Sequence, residues 1–217
     1  MSDNFFLSPP TNSRQKQIGF TLIELLVVMG IIGILAILTL PAMSSLSNSG
    51  GVNRAASGIP LLLDQARAYA MAHNTYVWVG FAPDATSQQL VIGVVSGTTG
   101  DVSDLNSGNI VPANKPQIFE HVTLKSISGL EGMSTSASDI LTSKMGTFQQ
   151  KAGGTPVVFT NVLQFCPGGE AMIGKTLGST HWIQIGLQPI RGQNVSDPNV
   201  AVFQVAALTG QVQVFRP

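Results

Sequence analysis

A carboxylate inside an apolar stretch is the first residue in this sequence that could do chemistry. Glu24 lies within residues 18–40, IGFTLIELLVVMGIIGILAILTL. An ionised carboxylate in lipid costs on the order of 2.5–3.5 kcal/mol or more, so it marks a functional position unless it reaches the interface near a helix end. The other candidates are sparse. Cys166 and His181 could supply a thiol nucleophile or a metal ligand, but no Cys-x-x-Cys or His-x-x-x-His spacing accompanies them. Cys166 precedes Pro167-Gly168-Gly169, which reads as a strand closing at a turn. Glu120 and His121 are adjacent, so on a strand they face opposite sides. Gly153-Gly154 and Gly168-Gly169 lack the Lys-Ser/Thr of a phosphate loop, and no serine sits in Gly-x-Ser-x-Gly. These patterns point to a non-enzymatic protein with no cofactor and no resident metal.

The elements around Glu24 suit a membrane. Residues 20–41 number 22, and a helix of that length spans roughly 33 Å, about a bilayer core. Arg14 and Lys16 stand just before it, and the next basic residue is Arg54. The positive-inside rule puts the N-terminus in the cytoplasm and sends the remainder outward. The apolar run exceeds the roughly 7–15 residues of a secretory signal core. An ordinary single-span anchor remains possible, but it leaves Glu24 unexplained.

Composition agrees with a protein that packs against others. Only 10% of residues are charged and the formal net charge is zero, against roughly 25% charged in an ordinary soluble domain. From Arg54 onward nine Lys/Arg balance nine Asp/Glu, and only Arg191 and Arg216 fall in the last 40 residues. That distribution lacks the basic stripe of a nucleic-acid binder. One cysteine in 217 residues makes no internal disulfide.

The run Gly19-Phe20-Thr21-Leu22-Ile23-Glu24 resembles the prepilin processing motif of type IV pilins and pseudopilins. The resemblance implies cleavage between Gly19 and Phe20 by a membrane prepilin peptidase, which also methylates the new amino group of Phe20. Glu24 then stands at the family's acidic position. By the family's usual reading it pairs with the terminal amine of a neighbouring subunit, so that two charges costly alone in lipid offset one another. Gly33 and Pro41 match the positions between which family helices loosen in filaments. Gly weakens a helix by about 1 kcal/mol, and Pro removes a donor.

Beyond residue 41 the sequence reads as a helix, then strands. Residues 47–51 (SNSGG) predict a kink or break. Helical character returns over 59–73, with Pro60 in the first turn and an apolar stripe of Leu62, Ala66, Tyr69, Ala70 and His73. His73 is expected to end the helix. Strands are predicted at 75–81, 89–95, 117–124, 155–165, 180–187, 200–208 and 211–215, the last two joined at Thr209-Gly210. Residues 96–109 read as a loop, and 138–145 as a short helix. Trp78 and Trp182 fall on strands, as core residues.

Three later segments resemble GspH/FimT-type minor pseudopilins. These are residues 62–79 with Ala66-Arg67, residues 163–171 (LQFCPGGEA) and residues 207–215 (ALTGQVQVF). The last carries Gln211 where the family often has Arg. Inserts at 96–116 and 126–154 depart from a minimal version. A subgroup resemblance is to the pilin-like Verru_Chthon cassette protein D. The expected fold is α+β and pilin-like: a long, kinked or interrupted apolar helix packed on an antiparallel sheet. The expected parts are a leader (1–19), a membrane and filament-core helix (20–41), its continuation (42–74) and a β domain (75–217). The resemblance implies a minor pilin or pseudopilin in a type IV pilus-like or type II secretion filament. Its partners would be prepilin peptidase, other subunits and the inner membrane, with the C-terminal domain periplasmic or extracellular. The alternatives are a FimT-like DNA-uptake pilin and a single-span β domain of other function.

Overall fold

The computed structural model describes residues 21–174, 181–190 and 199–217, without the side chains of residues 38–49. It divides into two compact units, Met1–Met43 and Ser44–Pro217. Helix α1 (Leu22–His73) contributes to both.

In the larger unit, α1 buries a stripe. Val52, Ala55, Ile59, Leu62, Leu63, Ala66 and Ala70 recur at intervals of three or four and are at most 3% exposed. This face is what holds the helix, because packing outweighs local propensity. It also explains two departures from the sequence reading. The helix runs through residues 47–51, where a break is expected, and Pro60 sits in its interior rather than its first turn. Gly51 serves close approach. A Cβ there would lie 2.5 Å from the Glu120 carbonyl oxygen and 3.2 Å from Val122. The helix ends as expected at His73, on whose ring Tyr69 stacks with centroids 4.1 Å apart. Asn74 takes a left-handed φ of 47°, and the Thr75 N–H donates to the Ala70 carbonyl at 3.1 Å.

After α1 the chain forms β1 (Val77–Asp84), β2 (Gln89–Gly97), a short α2 (Asp104–Ser107), β3 (Ile110–Pro112), β4 (Gln117–Glu120), β5 (Val122–Leu124) and β6 (Ala137–Asp139). A 3-10 turn (Ile140–Thr142) precedes β7 (Phe148–Ala152), β8 (Thr155–Phe159), β9 (Asn161–Phe165) and β10 (Ala171–Met172). The chain closes with β11 (Trp182–Pro189), β12 (Ala201–Ala206) and β13 (Val212–Phe215). The first sheet runs β10-β9-β1-β2-β3, with β4 also on β2. The second runs β13-β12-β11-β5, with β6 also on β11, and β7 and β8 form a separate hairpin. Among the described pairings, β6 with β11 is parallel and the others are antiparallel.

Several predicted elements are subdivided. The strand expected over 117–124 breaks at His121, whose φ is 57°. That left-handed residue costs roughly 1–2 kcal/mol. It is held because its N–H donates to Gln88 O at 2.7 Å and its carbonyl accepts from Ile190 N at 3.0 Å. The corner sends β4 into the first sheet and β5 into the second. The strand expected over 155–165 divides into β8 and β9, and the helix expected over 138–145 is instead the end of β6 and the 3-10 turn.

The two sheets and the α1 stripe share one core. From β1 it takes Val77, Val79 and Phe81, and from β11 and β12 Ile183, Ile185, Leu187, Phe203 and Val205. The opposite face of the first sheet is buried too. Trp78, Val91, Val95 and Val162 form a second cluster with Leu105, Met145, Phe148 and Phe159. These last four come from the segments around α2, the 3-10 turn and the β7–β8 hairpin. The inserts therefore supply a second hydrophobic layer.

Two glycines make that layer fit. Gly80 and Gly93 are partners across β1 and β2. A Cβ on Gly80 would meet Phe159 Cβ at 2.5 Å and Phe148 at 2.7 Å, where the two rings stack with centroids 4.8 Å apart. Gly80→Ala should destabilise the full chain by about 1–3 kcal/mol through overpacking, read as a lowered denaturant midpoint. An unchanged midpoint would show that the aromatic pair yields without cost.

Candidate functional site

The smaller unit presents the residues singled out for assembly. At its start, the Thr21 N–H and hydroxyl both donate to Glu24 Oε2, at 2.9 and 2.8 Å. The Glu24 N–H returns a bond to the Thr21 hydroxyl at 3.3 Å. This is a reciprocal capping box, in which two helix-end donors without backbone partners are satisfied by each other's side chains. Thr-x-x-Glu before an apolar run is the local signature of this cap, which the expected pairing of Glu24 with a partner's amine leaves out. Within the chain Glu24 caps the helix.

Every described side chain from residue 21 to residue 37 is exposed. Leu22 is 83% exposed, Ile23 71% and Ile37 71%. The run is apolar all round, unlike the striped half of α1, and a helix of that kind is stable only when something else surrounds it. Gly30 and Gly33 have no other heavy atom within 4 Å of where a Cβ would stand. Backbone geometry remains helical through Gly33 and Pro41. Gly19 and Phe20, on either side of the expected cleavage point, lie outside the described residues. Among the described residues no helix is long and apolar enough to cross a membrane.

The sulfur and imidazole candidates do not combine. Cys166 Sγ accepts from Gln164 Nε2 and donates to Met172 Sδ, both at 3.6 Å. Burial pushes its thiol up from the ordinary range, the reverse of what an activated nucleophile needs. His181 is exposed and contributes a backbone carbonyl to Ala207 N at 3.0 Å. Glu120 and His121 are not a strand pair but straddle the corner between the sheets. Among the described residues no three His, Cys, Asp or Glu side chains gather as a metal site. Trp78 is fully buried, with its Nε1 donating to Gln164 Oε1 at 2.9 Å, and Trp182 is half-buried. Arg216 is tied to α1, donating to Asn53 Oδ1 at 2.9 Å, while Arg191 lies outside the described residues.

The three later segments singled out in the sequence do converge. Arg67 Nε donates to the Gly169 carbonyl at 3.3 Å. Ala171 N donates to Ala207 O at 2.8 Å. A Cβ on Gly210 would collide with the Gly169 carbonyl and come within 2.7 Å of Arg67 Cδ. Gly169 and Gly210 have φ values of 93° and 66°, so only glycine fits both the turns and the space. This junction locks the helix to the two sheets.

Residues 14–40 match the model of the prokaryotic N-terminal methylation motif. That motif is a substrate signal for processing, not a catalytic constellation. Among curated proteins no significant match is found. Among solved structures, the chain is similar to the type IV minor pilin FimU of Pseudomonas aeruginosa strain PAO1. The identity is 15% and the TM-score 0.38, over 76% of this chain and 88% of that one.

The half-buried thiol of Cys166 gives a direct test of the nucleophile alternative. Alkylation of native Cys166 at neutral pH should run slower than in the denatured chain, and the gap should narrow as pH rises through the raised titration range. Equal rates at neutral pH would restore a reactive thiolate.

Proposed function

We propose that this pilin-like chain is a minor pilin or pseudopilin, cleaved after Gly19 and N-methylated at Phe20. It serves a type IV pilus-like or type II secretion filament, held first in the inner membrane by residues 20–41 with the β domain on the far side. The observation that carries this reading is the exposed apolar surface over residues 21–37, within the stretch that matches the methylation motif. Lipid covers that surface before assembly, and the helices of like subunits cover it afterwards. The long inserts, which thicken the β domain, suit a minor subunit better than a repetitively packed major one. Deletion should cost exported substrate if the filament serves secretion, and surface fibres if it serves adhesion.

Processing is read directly from the N-terminus. Mass spectrometry of protein from cells should find a chain beginning with methylated Phe20. A chain that retains its first nineteen residues would remove the basis for the proposal.

The capping box sharpens the test of Glu24. Loss of the cap alone costs about 0.5–2 kcal/mol, and glutamine can replace glutamate in such a box. Pairing with a neighbour's ammonium group, by contrast, needs the charge. Both Glu24→Ala and Glu24→Gln should be inserted and processed yet enter filaments poorly, as counted by surface fibres or filament fractions. Normal assembly by Glu24→Gln beside failure of Glu24→Ala would make the residue a helix cap and nothing more.

A further inference from the structure

We infer that residues 125–136 form a strap that detaches from the second sheet while the rest of the β domain stays folded. Strands β5 and β6 pair with the same edge of β11, at Leu187–Pro189 and at Trp182–Gln184. The chain between them leaves that edge and crosses the outer face of the sheet. Lys125 N donates to Gly186 O at 2.9 Å at the point of departure. On β11, Gln184 Nε2 donates to the Ile127 carbonyl. On β12, Gln204 grips Ser134 twice, donating to its carbonyl at 2.9 Å and accepting from its N–H at 2.9 Å. On β13, the Phe215 ring lies 3.5 Å from where a Cβ of Gly132 would stand.

What holds the strap differs in kind from what holds the sheet. None of residues 125–136 is fully buried. On the inner face Ile185, Phe203 and Val205 have no exposed surface, and Val202, which shares the outer face with Gln204, is covered as well. Local opening therefore breaks a few carboxamide bonds and uncovers one fully buried apolar side chain, Val202, whereas separating the strands would expose the shared core. The freed glutamines regain water as partners, so the net loss per bond is small. Opening uncovers Gln184, Gly186 and Gln204.

Site-resolved hydrogen exchange on the full chain in detergent micelles tests this. The Ser134 amide is the reporter, because Gln204 protects it, and the amides of Ile183 and Val205 are the references. Ser134 should exchange at least tenfold faster than the references. Gln204→Leu should speed Ser134 about tenfold further, leaving Ile183 and Val205 unchanged. If Ser134 exchanges in step with Ile183 and Val205 in the native chain, the strap is part of the sheet's cooperative unit and the inference fails. Equal acceleration of all three in Gln204→Leu would overturn it as well. Should that variant fail to fold, the native comparison alone decides.

Discussion

Burial of one stripe of α1 organises the larger unit. Val52, Ile59, Leu63 and Ala70 meet side chains from both sheets in a single core. The first sheet reaches this core through β1, β2 and β9, and the second through β11 and β12. Without the stripe neither sheet has a common surface to close on. The demand for contact explains Gly51 under the β4–β5 corner, the left-handed His121 at that corner, and the Arg67 junction with Gly169 and Gly210. The glycines let neighbouring groups approach more closely than a side chain would permit.

The same helix follows different rules in its first half. There the described side chains are apolar on every side and exposed on every side. A stripe tells a helix which face to bury, and a uniformly apolar surface tells it only that water is the wrong surroundings. The capping box of Thr21 and Glu24 secures the end of that segment from within the chain. The carboxylate thus holds a helix-end donor set, and under the proposed processing it would also face a charged amine.

Glutamine has an unexpected place in this structure. On β11 and β12 the alternation of Gln184, Gly186, Gln188 and Gln204 with apolar residues reads as a solvent-facing edge. Instead Gln184 and Gln204 hold the crossing segment by its backbone. On the first sheet Gln164 receives the Trp78 indole, and on β7 Gln150 donates to the Asn114 carbonyl at 2.6 Å. A carboxamide both donates and accepts without charge. It can therefore fasten loops to buried sheet faces in a protein with few ionised side chains.

The sequence by itself determined the N-terminal motif, the all-apolar run, the end of α1 at His73 and the positions of β1, β2, β11, β12 and β13. Those signals are local: spacing, hydrophobic period and turn residues act within a few positions. The Thr-x-x-Glu cap is equally local, and its spacing stands in the sequence. Only tertiary structure decided that helix persists across residues 47–51, that β4 and β5 part at His121, and that the inserts cover a second face. Propensity disfavours helix at Ser, Asn and Gly, and it carries no record of a carbonyl 2.5 Å from where a Cβ on Gly51 would stand. Likewise Arg67 lies more than a hundred residues before both Gly169 and Gly210, and their meeting depends on how the core closes. Contacts of that separation are set by packing, which no single window of sequence contains.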